Sequence, residues 1–241
     1  MGEAAIHIAN DFSRQYYLLR KAEGRIYSDE EVHSLPAISS RHPHFKEWIT
    51  RKDSCERLVK YLTGKKTKLR ILEVGCGNGW LSAKLSTVPG SSVTGIDINA
   101  EELEQAKKVF VKIENLKFFN CSLNDELLEA QKFDIIVFAA SVQYFSSLKK
   151  VLSDAISILN PRGEIHLLDS NFYAANEIGA ARQRMADYYR SNGFPGMIDQ
   201  YFHHTKDELD LFDHEVLYDP HSFVNRFKKN RNPFYWIRIN V

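Results

Sequence analysis

Cysteine is scarce in this chain and suited to neither metal binding nor cross-linking. Three residues, Cys55, Cys76 and Cys121, are scattered over 241 positions. Their odd number offers no disulfide framework, and no two stand at the spacing of a metal knuckle. They read as the reduced thiols of a cytoplasmic protein. Long apolar runs are missing as well. None approaches the roughly 20 residues that a membrane span needs, and the first residues lack the apolar stretch of a secretory leader. Ile6 stands where an acylation signal after Gly2 wants Ser or Thr. An excess of one charge is also absent: 32 Lys and Arg face 31 Asp and Glu, for a net charge of +1. A dedicated nucleic-acid binder carries a basic balance or patch. The expectation is a cytoplasmic protein that meets neither membrane nor nucleic acid.

Repeats and low-complexity linkers are lacking too, so residues 1–241 are taken as one domain. With 44% hydrophobic residues, a chain of this length buries about 70% of its unfolded surface without staples. From residue 69 onward, strand and helix alternate. Strands are predicted at 69–74 (LRILEV), 91–97 (SSVTGID), 116–119 (LKFF), 133–140 (FDIIVFAA) and 164–170 (EIHLLDS). Helices are predicted at 79–87, at 99–112 behind the N-cap Asn99, and at 146–159, the last stopped by a turn at Asn160-Pro161-Arg162-Gly163. The apolar run at 133–140 suits a strand covered on both faces. Such alternation implies right-handed βαβ units and a doubly wound α/β fold, with its ligand at the carboxyl ends of the strands. Residues 1–60 read as a helical cap, looser at 33–44. Residues 170–212 break the rhythm with many aromatics and no clear strand. Two late strands follow at 214–218 and 234–240.

The stretch ILEVGCGNGW, residues 71–80, carries the chemistry. Glycines at 75, 77 and 79 form a turn from strand into helix, where a ligand can approach the backbone and meet a helix N-terminus. A dinucleotide site needs a third glycine where Trp80 stands, so an oxidoreductase is set back. Glu73 is a carboxylate at the end of a buried strand, and an unpaired one costs several kcal/mol. It calls for a cationic or hydrogen-bond-donating partner. Asp97 closes the second strand, 22 residues after Gly75, where a carboxylate can accept from both hydroxyls of a ribose. Together these features ask for a ligand with an amino-acid end and a ribose.

Residues 46–170 resemble the class I S-adenosylmethionine-dependent methyltransferases. LEVGCGNG is similar to their first motif, GIDIN (95–99) to the ribose motif, FDIIVFAASVQYF (133–145) to the fourth-strand motif, and LNPRGEIHLLD (159–169) to the turn into strand five. The resemblance implies a seven-stranded, mostly parallel sheet of order 3-2-1-4-5-7-6, whose antiparallel last strand would be FYWIRIN. It implies S-adenosylmethionine as cofactor, S-adenosylhomocysteine as product, and no metal. By the same token Glu73, Gly75, Cys76, Gly77, Asp97 and Ala139 would contact the cofactor, with Ile98 on the adenine. The family often has an acid after strand three. Here Asn120, Cys121 and Ser122 stand there instead, and Cys121 and Ser122 are expected to line the pocket. Arg51, on a helix leading into the first strand, is the candidate partner for the cofactor carboxylate.

The acceptor side is less sharply marked. Ala139-Ala140-Ser141-Val142-Gln143-Tyr144 departs from the N-P-P-Y pattern of base methylation and resembles the small-molecule branch. Tyr144 is a candidate to face the sulfonium through a cation–π contact. The 170–212 insert is the expected lid, with Tyr173, Tyr188, Tyr189 and Tyr201 over the acceptor. His203 and His204 point apart as neighbours, so a metal pair is not expected, but either alone is a candidate general base. Tyr16, Tyr17 and Tyr27 of the cap are further candidates to close over the acceptor. The leading expectation is methyl transfer to a small molecule. The rivals are a protein or RNA acceptor drawn to the basic run 226–232, and a non-catalytic cofactor-binding subunit whose insert fills the acceptor space.

Overall fold

The computed structural model describes residues 3–227 and 231–241. The N-terminal cap is three helices: α1 (Glu3–Ala22), α2 (Asp29–Ser34) and α3 (Phe45–Gly64). Helix α2 is held by a reciprocal cap, in which the Ser28 hydroxyl accepts from the Glu31 amide and the Glu31 carboxylate from the Ser28 amide. Then follow β1 (Arg70–Val74), α4 (Trp80–Leu85), β2 (Ser92–Asp97), α5 (Ala100–Val109), β3 (Leu116–Asn120), α6 (Glu126–Glu129), β4 (Phe133–Ala139), α7 (Leu148–Ser157) and β5 (Leu159–Leu168). Helix α8 (Ile178–Ser191) lies in the insert, and β6 (His214–Tyr218) and β7 (Trp236–Asn240) end the chain.

In these labels the sheet runs β3-β2-β1-β4-β5-β7-β6, the expected order. The first five strands are parallel, and β7 pairs antiparallel with both β5 and β6. Side-chain alternation divides the core between the two faces. Ile71, Ile135 and Val137 pack toward Trp48, Leu58 and Leu62 of α3, while Leu72, Ile136 and Phe138 pack toward Val151, Leu152 and Ala155 of α7. Strands β1 and β4 are therefore covered on both sides, which is why β4 is almost unbroken apolar sequence. The order reverses between β1 and β4, so the crevice at their carboxyl ends is where a ligand fits.

Two local expectations change. The breakers at 160–163 do not precede β5 but interrupt it. Leu159 pairs with Phe133 and Glu164 with Ile135, so the residues between bulge out, with Arg162 in the left-handed region. The insert also holds a two-residue parallel ladder, Phe172–Tyr173 against His204–Thr205, too short for sequence alternation to reveal.

Candidate functional site

A cavity of about 500 Å³ opens at the carboxyl ends of β1, β2 and β4, roofed by α1 and edged by the insert. Its floor is the glycine turn. Gly75, Gly77 and Gly79 all have positive φ, 75°, 51° and 76°, so a left-handed residue recurs at every second position. Space reinforces this at Gly75, where a Cβ would stand 2.6 Å from the Cβ of Ser141. Ser141 cannot yield, because its hydroxyl donates to the Val74 carbonyl at 2.6 Å and ties β4 to β1. Gly75→Ala is expected to cost about 2–3 kcal/mol, from the left-handed backbone and the overpacking together. Urea unfolding of mutant and wild type checks it.

Asp97 braces the turn. One carboxylate oxygen accepts from the Gly77 amide at 2.7 Å and the other from the Asn99 amide at 2.8 Å. Burial pushes its pKa up, against the pull of these backbone N–H groups and that of Ile98. Each oxygen keeps a further lone pair for a ligand hydroxyl. Asn99 caps α5 by accepting from the Glu102 amide, and its buried Nδ2 has no partner among the described residues. Glu73, 3% exposed, accepts from the Ser82 hydroxyl. Burial pushes it up to about 8; the Ser82 bond offsets this in part, and the Asp97 charge adds to it. Glu102 is pushed up to about 7, by burial first and Asp97 second. Arg20 and Arg51 pull Glu102 down in part, and Arg51 Glu73, but neither acid has a direct ion pair among the described residues.

A belt of arginines also lines the cavity, within reach of these acids. Arg20 and Arg25 share Glu23 at 3.1 and 3.0 Å, Arg25 also meets Glu47, and Glu47 meets Arg51 at 3.0 Å. Burial alone would raise Glu47, but Arg51 and Arg25 hold it down to about 2. Beside this belt Phe12, Tyr16 and Tyr144 pack ring against ring, with centroids 5.4 to 5.9 Å apart.

All ten residues expected at the cofactor, Arg51, Glu73, Gly75, Cys76, Gly77, Asp97, Ile98, Cys121, Ser122 and Ala139, line this one cavity, as does Tyr144. The two histidines are placed elsewhere. His204 Nε2 sits 3.2 Å from the Val142 carbonyl, and His203 packs between the rings of Tyr173 and Tyr201 at 5.3 and 5.1 Å. The short ladder that begins at His204 turns both into the insert. None of the four lid tyrosines lines the cavity either. Tyr201 packs on Tyr144 and Tyr189 on Tyr201, Tyr188 is exposed and donates to Glu23, and Tyr173 covers His203. Tyr16 and Tyr27 of the cap reach the cavity and Tyr17 does not. Of the basic run, Lys228, Lys229 and Asn230 lie outside the described residues, and Arg226, Phe227, Arg231 and Asn232 do not line the cavity. Phe12, Arg20, Glu102 and Gln200 line it without having been singled out from sequence. The one signal was the four-residue spacing of Tyr16 and Arg20, which puts them on one helix face.

The sequence profile of a methyltransferase-domain family matches residues 65–224. The malonyl-[acyl-carrier protein] O-methyltransferase of Halalkalibacterium halodurans is 26% identical over 188 residues, covering 68% of this chain and 69% of that protein. The mitochondrial ubiquinone biosynthesis O-methyltransferase of Rattus norvegicus is 32% identical over 145 residues, 58% of this chain and 40% of that one. Apart from the first, the chain spans less than half the length of these curated relatives. Among solved structures, the plantazolicin methyltransferase BpumL in complex with a desmethylPZN analog and SAH superposes with a TM-score of 0.57 at 18% identity, covering 97% of this chain and 98% of that one. The CurJ carbon methyltransferase superposes at 0.63 and 15% identity, covering 99% and 69%.

Proposed function

The chain belongs to the methyltransferase-domain family and is an S-adenosylmethionine-dependent methyltransferase, and from that premise we propose that it methylates a small molecule held between the aromatic wall and the insert. One observation carries the proposal: a single cavity joins the acid and glycine wall to an apolar, aromatic wall, with space left between them. A cofactor-binding subunit with a filled acceptor side would lack that space.

The residues fit the cofactor. Glu73 and Glu102 are buried or half-buried acids that await a cation, and the amino group of an amino-acid moiety is one. Asp97 would take the ribose hydroxyls, Ile98 the adenine face, Cys121 and Ser122 its edge, and Arg51 the carboxylate. Cys76 and Ala139 would close the walls between these contacts. When bound, the cofactor supplies a methyl group already activated on a sulfonium. What remains for the protein is alignment and exclusion of water, which accounts for several kcal/mol of barrier lowering in such displacements. Tyr144, fixed between Tyr16 and Tyr201, would present its ring to the cation. In this reading residues 1–241 act as one unit, the 1–60 cap roofs the site, and the 170–212 insert backs its aromatic wall. The relative named for ubiquinone biosynthesis O-methylation supports a small, lipophilic acceptor.

Incubation with methyl-labelled cofactor and a cell extract, followed by ultrafiltration, tests this. Label is expected in the low-mass fraction. Label retained on protein or RNA would replace the small-molecule reading.

A further inference from the structure

Once the acids, the glycine turn and Arg51 are assigned to the cofactor, a distinct remainder of the cavity lining is left. It includes Phe12, Tyr16, Tyr144, Phe145 and Gln200, with two arginines: Arg25, held by both Glu23 and Glu47, and Arg20. This guanidinium is built in. Its Nε donates to the Tyr16 hydroxyl at 3.0 Å, one Nη donates to Glu23 at 3.1 Å, and its central carbon lies 5.1 Å from the centre of the Tyr16 ring. Two of its five N–H groups are so engaged. The second Nη has no hydrogen-bond partner among the described residues, and the fork it completes is shaped for a carboxylate.

We propose that the acceptor is a carboxylic acid with an apolar or aromatic body, bound through its carboxylate by Arg20 and methylated on a carboxylate oxygen. The assignment rests on the cofactor reading above. Three features converge on it. The cation stands among aromatic side chains, so the ligand it meets has an anion joined to an apolar frame. Glu23 already balances the guanidinium at 3.1 Å, but the second Nη has no partner among the described residues, and an anionic oxygen makes a stronger hydrogen bond there than a neutral hydroxyl. The chemistry also balances with the groups in view. A carboxylate oxygen forms the new O–CH₃ bond, the S–CH₃ bond breaks, and its electron pair stays on sulfur as the neutral thioether. No proton moves, so no base is required. The described acceptor-side residues supply none: the two histidines are in the insert, and burial pushes the Tyr16 and Tyr144 phenols up. A phenol or ammonium acceptor needs a proton removed.

The test uses methyl-labelled cofactor with a panel of aryl and C6–C18 carboxylic acids, each beside its alcohol and amine. Label is expected on acids as methyl esters that release labelled methanol in mild alkali. Arg20→Gln should lower that transfer about 100-fold and Arg20→Lys about 10-fold, while S-adenosylhomocysteine affinity by calorimetry stays within about threefold. Retained affinity also shows that the variants are folded. Alkali-stable label on alcohols or amines overturns the carboxylate assignment and leaves the cofactor reading intact. So does the absence of label on every acid from protein that binds S-adenosylhomocysteine, and so does full activity in Arg20→Gln. Folded wild-type protein that does not bind S-adenosylhomocysteine overturns the cofactor reading itself.

Discussion

Asp97→Ala is expected to lower the affinity for S-adenosylhomocysteine by about 100-fold to 10,000-fold. A hydrogen bond to a charged acceptor contributes about 1.5–3 kcal/mol, and the carboxylate would hold two ribose hydroxyls, so about 3–6 kcal/mol is at stake, at 1.4 kcal/mol per tenfold. Part of the loss comes through the protein. The same carboxylate holds the Gly77 and Asn99 amides at 2.7 and 2.8 Å, and without it both donors face the cavity unpaired. Asp97→Asn separates the two effects. It keeps one acceptor oxygen and the side-chain volume, so its loss should be smaller, about 10- to 100-fold if one charged hydrogen bond becomes neutral. Calorimetric titration of wild type and both variants reads this directly. Wild-type affinity in Asp97→Ala would remove Asp97 from the ribose contact.

The place of that residue at the turn was legible in the sequence because it is local. Asp97 closes a strand whose pairing follows from an apolar run, and the turn it braces lies within one βα unit. The glycines were legible for a similar reason, since left-handed backbone at alternate positions is written directly as GxGxG. The sheet order was implied by resemblance and reappears in the strand pairing. The acceptor wall was not legible, because it is made by distant packing. Arg20 and Phe12 stand more than fifty residues before the glycine turn and come to it only because α1 lies over the cavity and against the segment after α8. Helical spacing shows that Tyr16 and Arg20 share a face but not what that face meets. His203 and His204 illustrate the converse. Their chemistry was readable, but their direction depends on a ladder of two residues. The insert's tyrosines, expected over the acceptor, do not line the cavity; Tyr201 and, behind it, Tyr189 support Tyr144 instead.

A buried acid in want of a cation also sets a pH dependence. In the ligand-free protein Glu73 stays protonated up to about 8, whereas in the unfolded chain it ionises near 4.5. Between those values the unfolded state has released a proton that the folded state retains. The free energy of unfolding therefore falls as pH rises, by up to about 1.4 kcal/mol per unit for one group. Glu102, pushed up to about 7, adds to the slope below that pH. The stabilising contribution is complete below pH 4.5 and gone above 8. Denaturant unfolding of the ligand-free protein at pH 5.5 and 7.5 should show a loss of about 2–3 kcal/mol from Glu73 and about 2 kcal/mol more from Glu102. Glu73→Gln should flatten most of that slope and be the more stable protein at pH 7.5. Its cost appears on binding. A ligand cation beside Glu73 favours the ionised carboxylate, so cofactor binding near pH 7 should release protons, measured by calorimetry in buffers of different ionisation enthalpy. Glu73→Gln should bind without most of that release and about 10- to 100-fold more weakly, the equivalent of one charge-assisted contact. A slope that survives the substitution would move the titration to Glu102 and Asp97. Wild-type binding without proton release would mean that the ligand's cation lies elsewhere. The two experiments together decide whether Glu73 is kept as an acid because a positively charged ligand completes it, at the expense of a ligand-free state that is weaker at neutral pH than its packing alone would make it.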